Sequence, residues 1–425
     1  MFEDLLFAKK RLDRWWRFNA LKDAFITSQQ ATMNSKREVR VLDRAFRRIG
    51  YGPAPESVRP FWCELVSHGA ARKSVLQAGD EKKIELLADN LDSETLPAKC
   101  WFDLYRLCIG VGFFQVGRIL RDRGLGRMVS DAGQGGAVSS ETLALGIYAE
   151  LEKGNFTSAE SLLNKLGGLR GNEQRALQAH WFLQLLEGSS ERDTYGFSGS
   201  ATSVDLEFGN FIKGKRVALV GPVPSDKAQG HEIDGHDVVV KFGYRGGQKG
   251  RDPETQGERL DISYYNNTQA QQLAQSDYEA VFSSIRWAVC HNRKGRSLFP
   301  ADYPGVRQLT SFQWLLADTH FNAGPNAIID LLRFLPAGIC VFNTDLMLSS
   351  GRFAGYTPAG AKPVDYTRSF IKTHDPILQY QVMHQLWKVG YLSGDVRFNA
   401  VMGMGLRRYL DELQKAHGAR EQALI

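Results

Sequence analysis

The side chains best suited to chemistry lie late in this chain. His374 is followed by Asp375–Pro376 and an apolar helical stretch. Imidazole is the natural proton acceptor near pH 7, although a lone histidine at such a place reads first as a cap or packing residue. Asp375 and Pro376 have the types favoured at a helix N-cap and first turn, so they hold His374 at the helix start, and Asp375 needs no catalytic role. Earlier, His320 precedes Asn322–Ala323–Gly324–Pro325 and a second helical pattern. Gly324 would allow close approach to a helix N-terminus whose free N–H groups and dipole suit an anionic phosphate. A third candidate, Gly221–Pro222–Val223–Pro224–Ser225, closes the apolar run Arg216–Val220. Its two prolines remove donors and stiffen the loop, which disfavours a GxGxxG-type dinucleotide site. No Walker lysine motif is present. No DxD-type carboxylate pair marks a divalent metal site, and the Asp–Pro–Glu run at 252–254 reads as a solvated loop.

These residues need a scaffold, and the hydrophobic period supplies one. Segments 1–25, 36–49, 57–69, 81–91, 97–110, 113–123, 139–153, 156–166 and 171–187 carry apolar residues at helical spacing. Two turns about forty residues apart, around Gly112 and Gly154, each lead into an aromatic. Ala159, Leu162, Leu163 and Leu166 follow the second in the small-then-large order of tetratricopeptide hairpins. Residues 1–190 are therefore expected to form an α-helical hairpin array, with a simple helical bundle as the plainer alternative. Residues 191–212, rich in Gly, Ser and Thr, are expected to be a linker. From 213 to 425 the period changes. Short apolar runs at 216–221, 237–242, 261–265, 280–283 and 338–342 read as strands, with helices near 311–318, 323–335 and 376–389. Alternating strands and helices predict a Rossmann-like α/β domain with a mostly parallel sheet, whose ligands bind beyond the carboxyl ends of the strands. The loops starting at Gly221, Phe242, Asn266 and Asn343 are then the places for chemistry.

Gly230–His231–Glu232–Ile233–Asp234–Gly235–His236–Asp237, running into Val238–Phe242, strongly resembles the large sialyl motif of glycosyltransferase family 29. Gly257–Glu258–Arg259–Leu260–Asp261 resembles its closing sequence. Asn322–Leu332 with Ile339–Asp345 resembles the small motif, and Thr373–Gln379 the very short one. The resemblance implies an inverting, metal-independent transferase with no cofactor beyond its CMP-sugar donor. It makes His374 the base and places donor contacts at Gly221, Pro222, Ser225, Ala323, Gly324, Pro325, Asn343 and Thr344. His320 would assist the leaving group, and a loop histidine without a role is the other reading. His236 and Asp237 belong to the motif, yet they also suit a purely structural tie between loop and strand. Departures fall in the donor loops. Pro222 and Gly243 stand where the family has nucleotide-holding asparagines, so Asn266 or Asn267 becomes the substitute. Leu378 or Gln379 replaces a family glutamate. Val217 takes the position of a secretory-pathway cysteine, which suits a bacterial-type cytoplasmic enzyme.

Composition agrees with a globular protein: 43% hydrophobic and 24% charged residues, with no apolar run long enough to span a bilayer. Five scattered cysteines without CxxC spacing exclude a zinc ribbon or disulfide framework. Residues 1–50 hold twelve Lys/Arg and six Asp/Glu, a net +6 that equals the net charge of the whole chain. This basic, aromatic end suits either an anionic surface or a packed helical face. Nothing resembles a nucleic-acid-binding module. The expected activity is transfer of an acidic ulosonic sugar, Kdo ahead of sialic acid, from its CMP ester to a glycan acceptor of bacterial capsule or lipopolysaccharide. The expected location is cytoplasmic, peripheral on the inner membrane face or bound to a protein partner through residues 1–190. The rivals are a UDP- or GDP-sugar enzyme and a non-catalytic binding protein built on a degenerate transferase domain.

Overall fold

A computed structural model describes residues 2–30, 35–70, 78–134, 138–189, 202–247, 252–310, 319–353, 356 and 365–418. Among the described residues nine α-helices span Phe2 to Glu187; most bounds follow the apolar spacing within a few residues, but the helix expected at 113–123 runs from Phe114 to Gly133. Each helix from Ala98–Val111 to Glu173–Glu187 packs on the next. The turns at Gly112 and Gly154 share one geometry: both glycines are left-handed, with φ of 87° and 75°. Phe113 N donates to Cys108 O and Asn155 N to Glu150 O, at 2.8 and 2.9 Å. Both helices thus end in the same carbonyl-satisfying cap. Ala159, Leu162, Leu163 and Leu166 are buried.

The second half is built on a seven-stranded sheet. Its strands are β1 (Arg216–Val220), β2 (Val238–Phe242), β3 (Ile262–Tyr265), β4 (Trp287–Cys290), β5 (Val306–Gln308), β6 (Gly338–Phe342) and β7 (Leu392–Gly394). Their order is β5-β4-β3-β2-β1-β6-β7, and every pairing is parallel. Strands covered on both faces need apolar residues at successive positions, as in Val238–Val240 of β2, all fully buried. The strand order reverses at β1, with Val217 in register with Val238 on one side and Ile339 on the other. A crevice for ligands is expected there, at the carboxyl edge.

Three expectations are corrected. Ala280–Ser283 lies in the helix Tyr278–Ser283, because the Asp277 side chain caps Ala280 N at 3.1 Å. Val281 and Phe282 on that helix pack among Tyr265 and Phe299. Of the expected linker, Ser203–Ile212 is a helix started by a Thr202 cap. Its Phe208 meets Trp287 and Phe334 edge-on, and its Asp205 pairs with Arg307 of β5 at 3.0 Å. Asp252–Pro253–Glu254 opens a short capped helix, Pro253–Gln256. The helix expected near 311–318 lies outside the described residues.

The two halves share one hydrophobic core. Phe114 meets Phe370 edge-on, Gln115 Nε2 donates to Asp411 Oδ1 at 2.7 Å, and Gln385 Nε2 donates to Leu186 O at 2.7 Å. The helical half is therefore a wall of the molecule. All five cysteines are free thiols.

Candidate functional site

Residues 230–237 and 257–261, which lead into β2 and β3, build the amino edge of the sheet. Asp237 Oδ2 accepts from Arg216 N at 2.8 Å, where β1 and β2 begin. Asp234 accepts from the backbone N–H groups of Glu258 and Arg259. The Arg259 guanidinium donates to the carbonyls of Asp234, His236 and Asp237 and to Asp261 Oδ2. His236 Nδ1 lies 2.9 Å from Glu232 O, and the buried Lys241 donates to Gly257 O at 2.6 Å. A Cβ on Gly230 would collide with Pro253 O. The stretch that most resembles the large sialyl motif is thus a clamp joining strand starts, and His236 and Asp237 are structural.

At the carboxyl edge the helix Ala323–Leu332 is anchored through Asp330, which accepts from Tyr264 Oη (2.7 Å) and Arg307 Nη1 (2.6 Å). Its start is uncapped by side chain: Asn322 sends Nδ2 to Met347 Sδ and its backbone N–H to Gln379 Oε1. Within the first turn only Ala323 and Gly324 carry N–H groups, since Pro325 has none. The space above Gly324 is open, so close approach there is sterically allowed.

His320 and His374 stand beside this turn. Thr319 Oγ1 donates to Thr373 O and accepts from Asp375 N, and His320 N donates to Thr373 O, which zips the two segments together. The imidazole rings meet edge-on at 4.9 Å. His374 Nδ1 lies 2.9 Å from His320 O. A carbonyl only accepts, so Nδ1 carries the proton and Nε2 is the basic nitrogen. Burial lowers the pKa of His374 to about 4, against the opposing pull of that carbonyl. Burial, the neighbouring His374 and the charges of Arg14 and Arg11 take His320 to about 3. Both imidazoles are therefore neutral at pH 7. The near-neutral pKa expected of His374 is corrected: its environment makes it unprotonated but less basic than free imidazole, until an anion bound nearby raises it.

The next residue is fixed from the helical half. Asp375 caps its helix through Ile377 N and Leu378 N, and accepts from Tyr105 Oη at 2.8 Å and Arg121 Nε at 2.6 Å. Arg121 is buried and also paired with Glu152. Two helices from the first half thus hold the residue adjoining His374.

At the switch point the outcome is different. Asn343 is buried with φ 52°, its Nδ2 donating to Thr255 O and its Oδ1 accepting from Gln229. Its N–H donates to Asp395 Oδ2 at 2.7 Å. The side chain expected to touch a donor instead fastens loops together. A Cβ on Gly221 would collide with Thr344 Oγ1, so Gly221 serves loop packing, and Thr344 Oγ1 donates to Phe342 O. Pro222 O accepts from Phe353 N, and Ser225 Oγ from Lys227 N. Asn266 is spent on a capping box with Gln269.

Four features escaped the sequence reading. His291, directly after β4, lies against the Ala323 backbone, and burial lowers its pKa to about 4. Asp345 Oδ1 is buried and unpartnered, as is Oδ1 of Asn267, which was expected as a donor contact. Leu346 and Met347 hold positive φ, pinned by Tyr409 Oη to Leu346 O and His417 Nε2 to Met347 O. Such strain persists only where the surroundings impose it, and it gathers at functional sites. Arg352 stacks over Tyr366 and makes no ion pair among the described residues. Only the last left a sequence trace, as a basic residue in a Gly/Ser-rich loop.

Among the described residues no group of His, Cys, Asp and Glu is arranged to hold a metal ion, and no helix is long and apolar enough to cross a membrane. No protein-family model and no curated protein sequence matches the chain.

Proposed function

We propose that the protein is an inverting glycosyltransferase that moves an acidic ulosonic sugar, Kdo or sialic acid, from its CMP ester to a glycan acceptor of a bacterial surface polysaccharide. The observation that carries this reading is the pairing of a tautomer-fixed, neutral His374 with the uncapped turn at Ala323–Gly324. His374 Nε2 takes the proton of the acceptor hydroxyl as its oxygen bonds the anomeric carbon. The bond from that carbon to the CMP phosphate breaks, and its electron pair leaves with the phosphate. The Ala323 and Gly324 N–H groups and the neutral His320 ring stabilise the departing charge. Arg352 is the cation for the sugar carboxylate. No metal takes part. The helical half, read as tetratricopeptide-type hairpins, acts as a buttress, and the enzyme works peripherally on the inner face of the cell membrane.

Release of CMP from CMP-Kdo and CMP-sialic acid tests this, with UDP- and GDP-sugars as controls. Turnover of a CMP-sugar that His374→Ala abolishes supports the proposal; turnover untouched by that change removes the base. The saturated Asn343 and the blocked Gly221 favour the second reading, a binding protein with a degenerate transferase domain. Failure to turn over any sugar nucleotide would support it.

A further inference from the structure

Three large apolar side chains remain exposed on one helix, Phe2–Gln30: Leu12 (70% exposed), Trp15 (36%) and Trp16 (47%). Spaced by three and four residues, they form one stripe. Other exposed apolar residues, such as Leu86 and Val396 on separate helices and Leu169 in a turn, sit singly. Cations border the stripe. Lys9 and Arg11 are exposed on the same helix, Lys22 follows about three turns on, and the Lys372 ammonium lies 4.7 Å from the Trp15 ring. Burial, Arg368 and Lys22 together depress the pKa of Lys372, which shows how closely these charges gather. From Lys9 to Lys22 there are six basic residues and one acid, Asp13.

We propose that this face docks on a bilayer surface rich in anionic lipid. Tryptophan and leucine enter the boundary between headgroups and chains, while lysines and arginines around them meet anionic headgroups. The border is mainly basic, with Lys9, Arg11, Lys22 and Lys372 set beside the acids Asp13 and Asp23, and a net positive border around apolar side chains matches an anionic headgroup surface. Arg14 and Arg17 of the same helix are buried and turned inward: Arg17 pairs with Asp103, and Arg14 donates to Lys372 O, two residues before His374. The docking face therefore adjoins the histidine pair. On the glycosyltransferase reading, this presents the site to an acceptor anchored in lipid.

The test is co-sedimentation of the full chain with vesicles of phosphatidylcholine alone, or mixed with phosphatidylglycerol, at low and high salt. Binding to the mixed vesicles only, with a blue shift of tryptophan emission and release by salt, is expected. L12E/W16E abolishes it, and K9E/K22E weakens partitioning by about fivefold per charge at the least. Leu12, Trp16 and Lys9 are exposed and Lys22 is half-buried, so the fold is kept and thermal stability changes little. No binding to either vesicle, or undiminished binding by L12E/W16E, overturns the proposal. So does a dimer in sedimentation velocity that L12E/W16E dissolves, which gives the face to a second copy. Vesicle binding needs no donor, so it stands or falls apart from the CMP-release assay.

Discussion

The two edges of the sheet carry similar residue types and put them to opposite uses. At the amino edge Asp234, Asp237, Asp261 and Arg259 bond one another and strand backbones. At the carboxyl edge Asn267 Oδ1 and Asp345 Oδ1 are buried without partners, two histidines are neutral, and the chain after β6 holds positive φ at Asn343, Leu346 and Met347. A buried polar atom left unpaired costs about 1–3 kcal/mol, so such atoms gather where something other than stability sets the arrangement. A motif resemblance is blind to this distinction: its longest match is the clamp, and its shortest contains the histidine.

The comparison can be broken in several ways. The largest effect is expected from His374→Ala, a loss of turnover of about 100- to 10,000-fold with the melting temperature kept. A large drop in stability instead would turn His374 into a packing residue. Next is Arg121→Met, which strands the carboxylates of Asp375 and Glu152 in the interior. It should cost about 3–5 kcal/mol in denaturant unfolding, because a buried pair is worth most when one partner is removed. A neutral outcome would mean that the helical half does not brace the site. At the amino edge, Gly230→Ala forces a Cβ against Pro253 O and should cost about 1–3 kcal/mol. Nucleotide affinity of the folded fraction should not change, and weakened affinity would give this edge a share in binding.

Acid sharpens the contrast. His291, His320 and His374 have folded pKa values of about 4, 3 and 4, below the ordinary histidine value of about 6.5. Above about pH 6.5 neither state is charged and stability is level. As pH falls towards about 4 the unfolded chain takes up protons that the folded chain refuses, so stability declines across that window. Melting curves of the wild type and of the His320→Gln variant read this, the variant losing part of the slope. Equal slopes would place the titration elsewhere. The smallest effect is expected from Asn322→Asp. A carboxylate at the helix start should raise stability by about 0.5 kcal/mol. It should also weaken CMP binding about fivefold by repelling the phosphate.

Much of this was legible. Most helices from Ala98 to Glu187 announce themselves by buried spacing and glycine caps, β1 and β6 by unbroken apolar runs, and β2 and β3 by runs broken at Lys241 and Ser263. β4 was hidden because the apolar run at 280–283 drew the assignment, although Asp277 four residues after Leu273 is the cap that makes it helical. β5 and β7 are three residues long and carry polar side chains, so no period exists to read. Missing β4 meant missing His291 at its end. The grip on Asp375 was invisible for another reason: Arg121 lies 254 residues away, and only tertiary packing brings it there. Asn343 was readable as a strand-end residue, but whether its amide faces a ligand or a neighbouring loop depends on partners such as Gln229 and Thr255.

The most direct test of the carboxyl-edge assignment is calorimetric titration of the purified chain with CMP, with UMP and GMP alongside, for the wild type and Asn322→Asp. The account predicts selective CMP binding that weakens in the variant. No binding of any nucleotide at millimolar concentration, or CMP binding indifferent to the charge at residue 322, would contradict it.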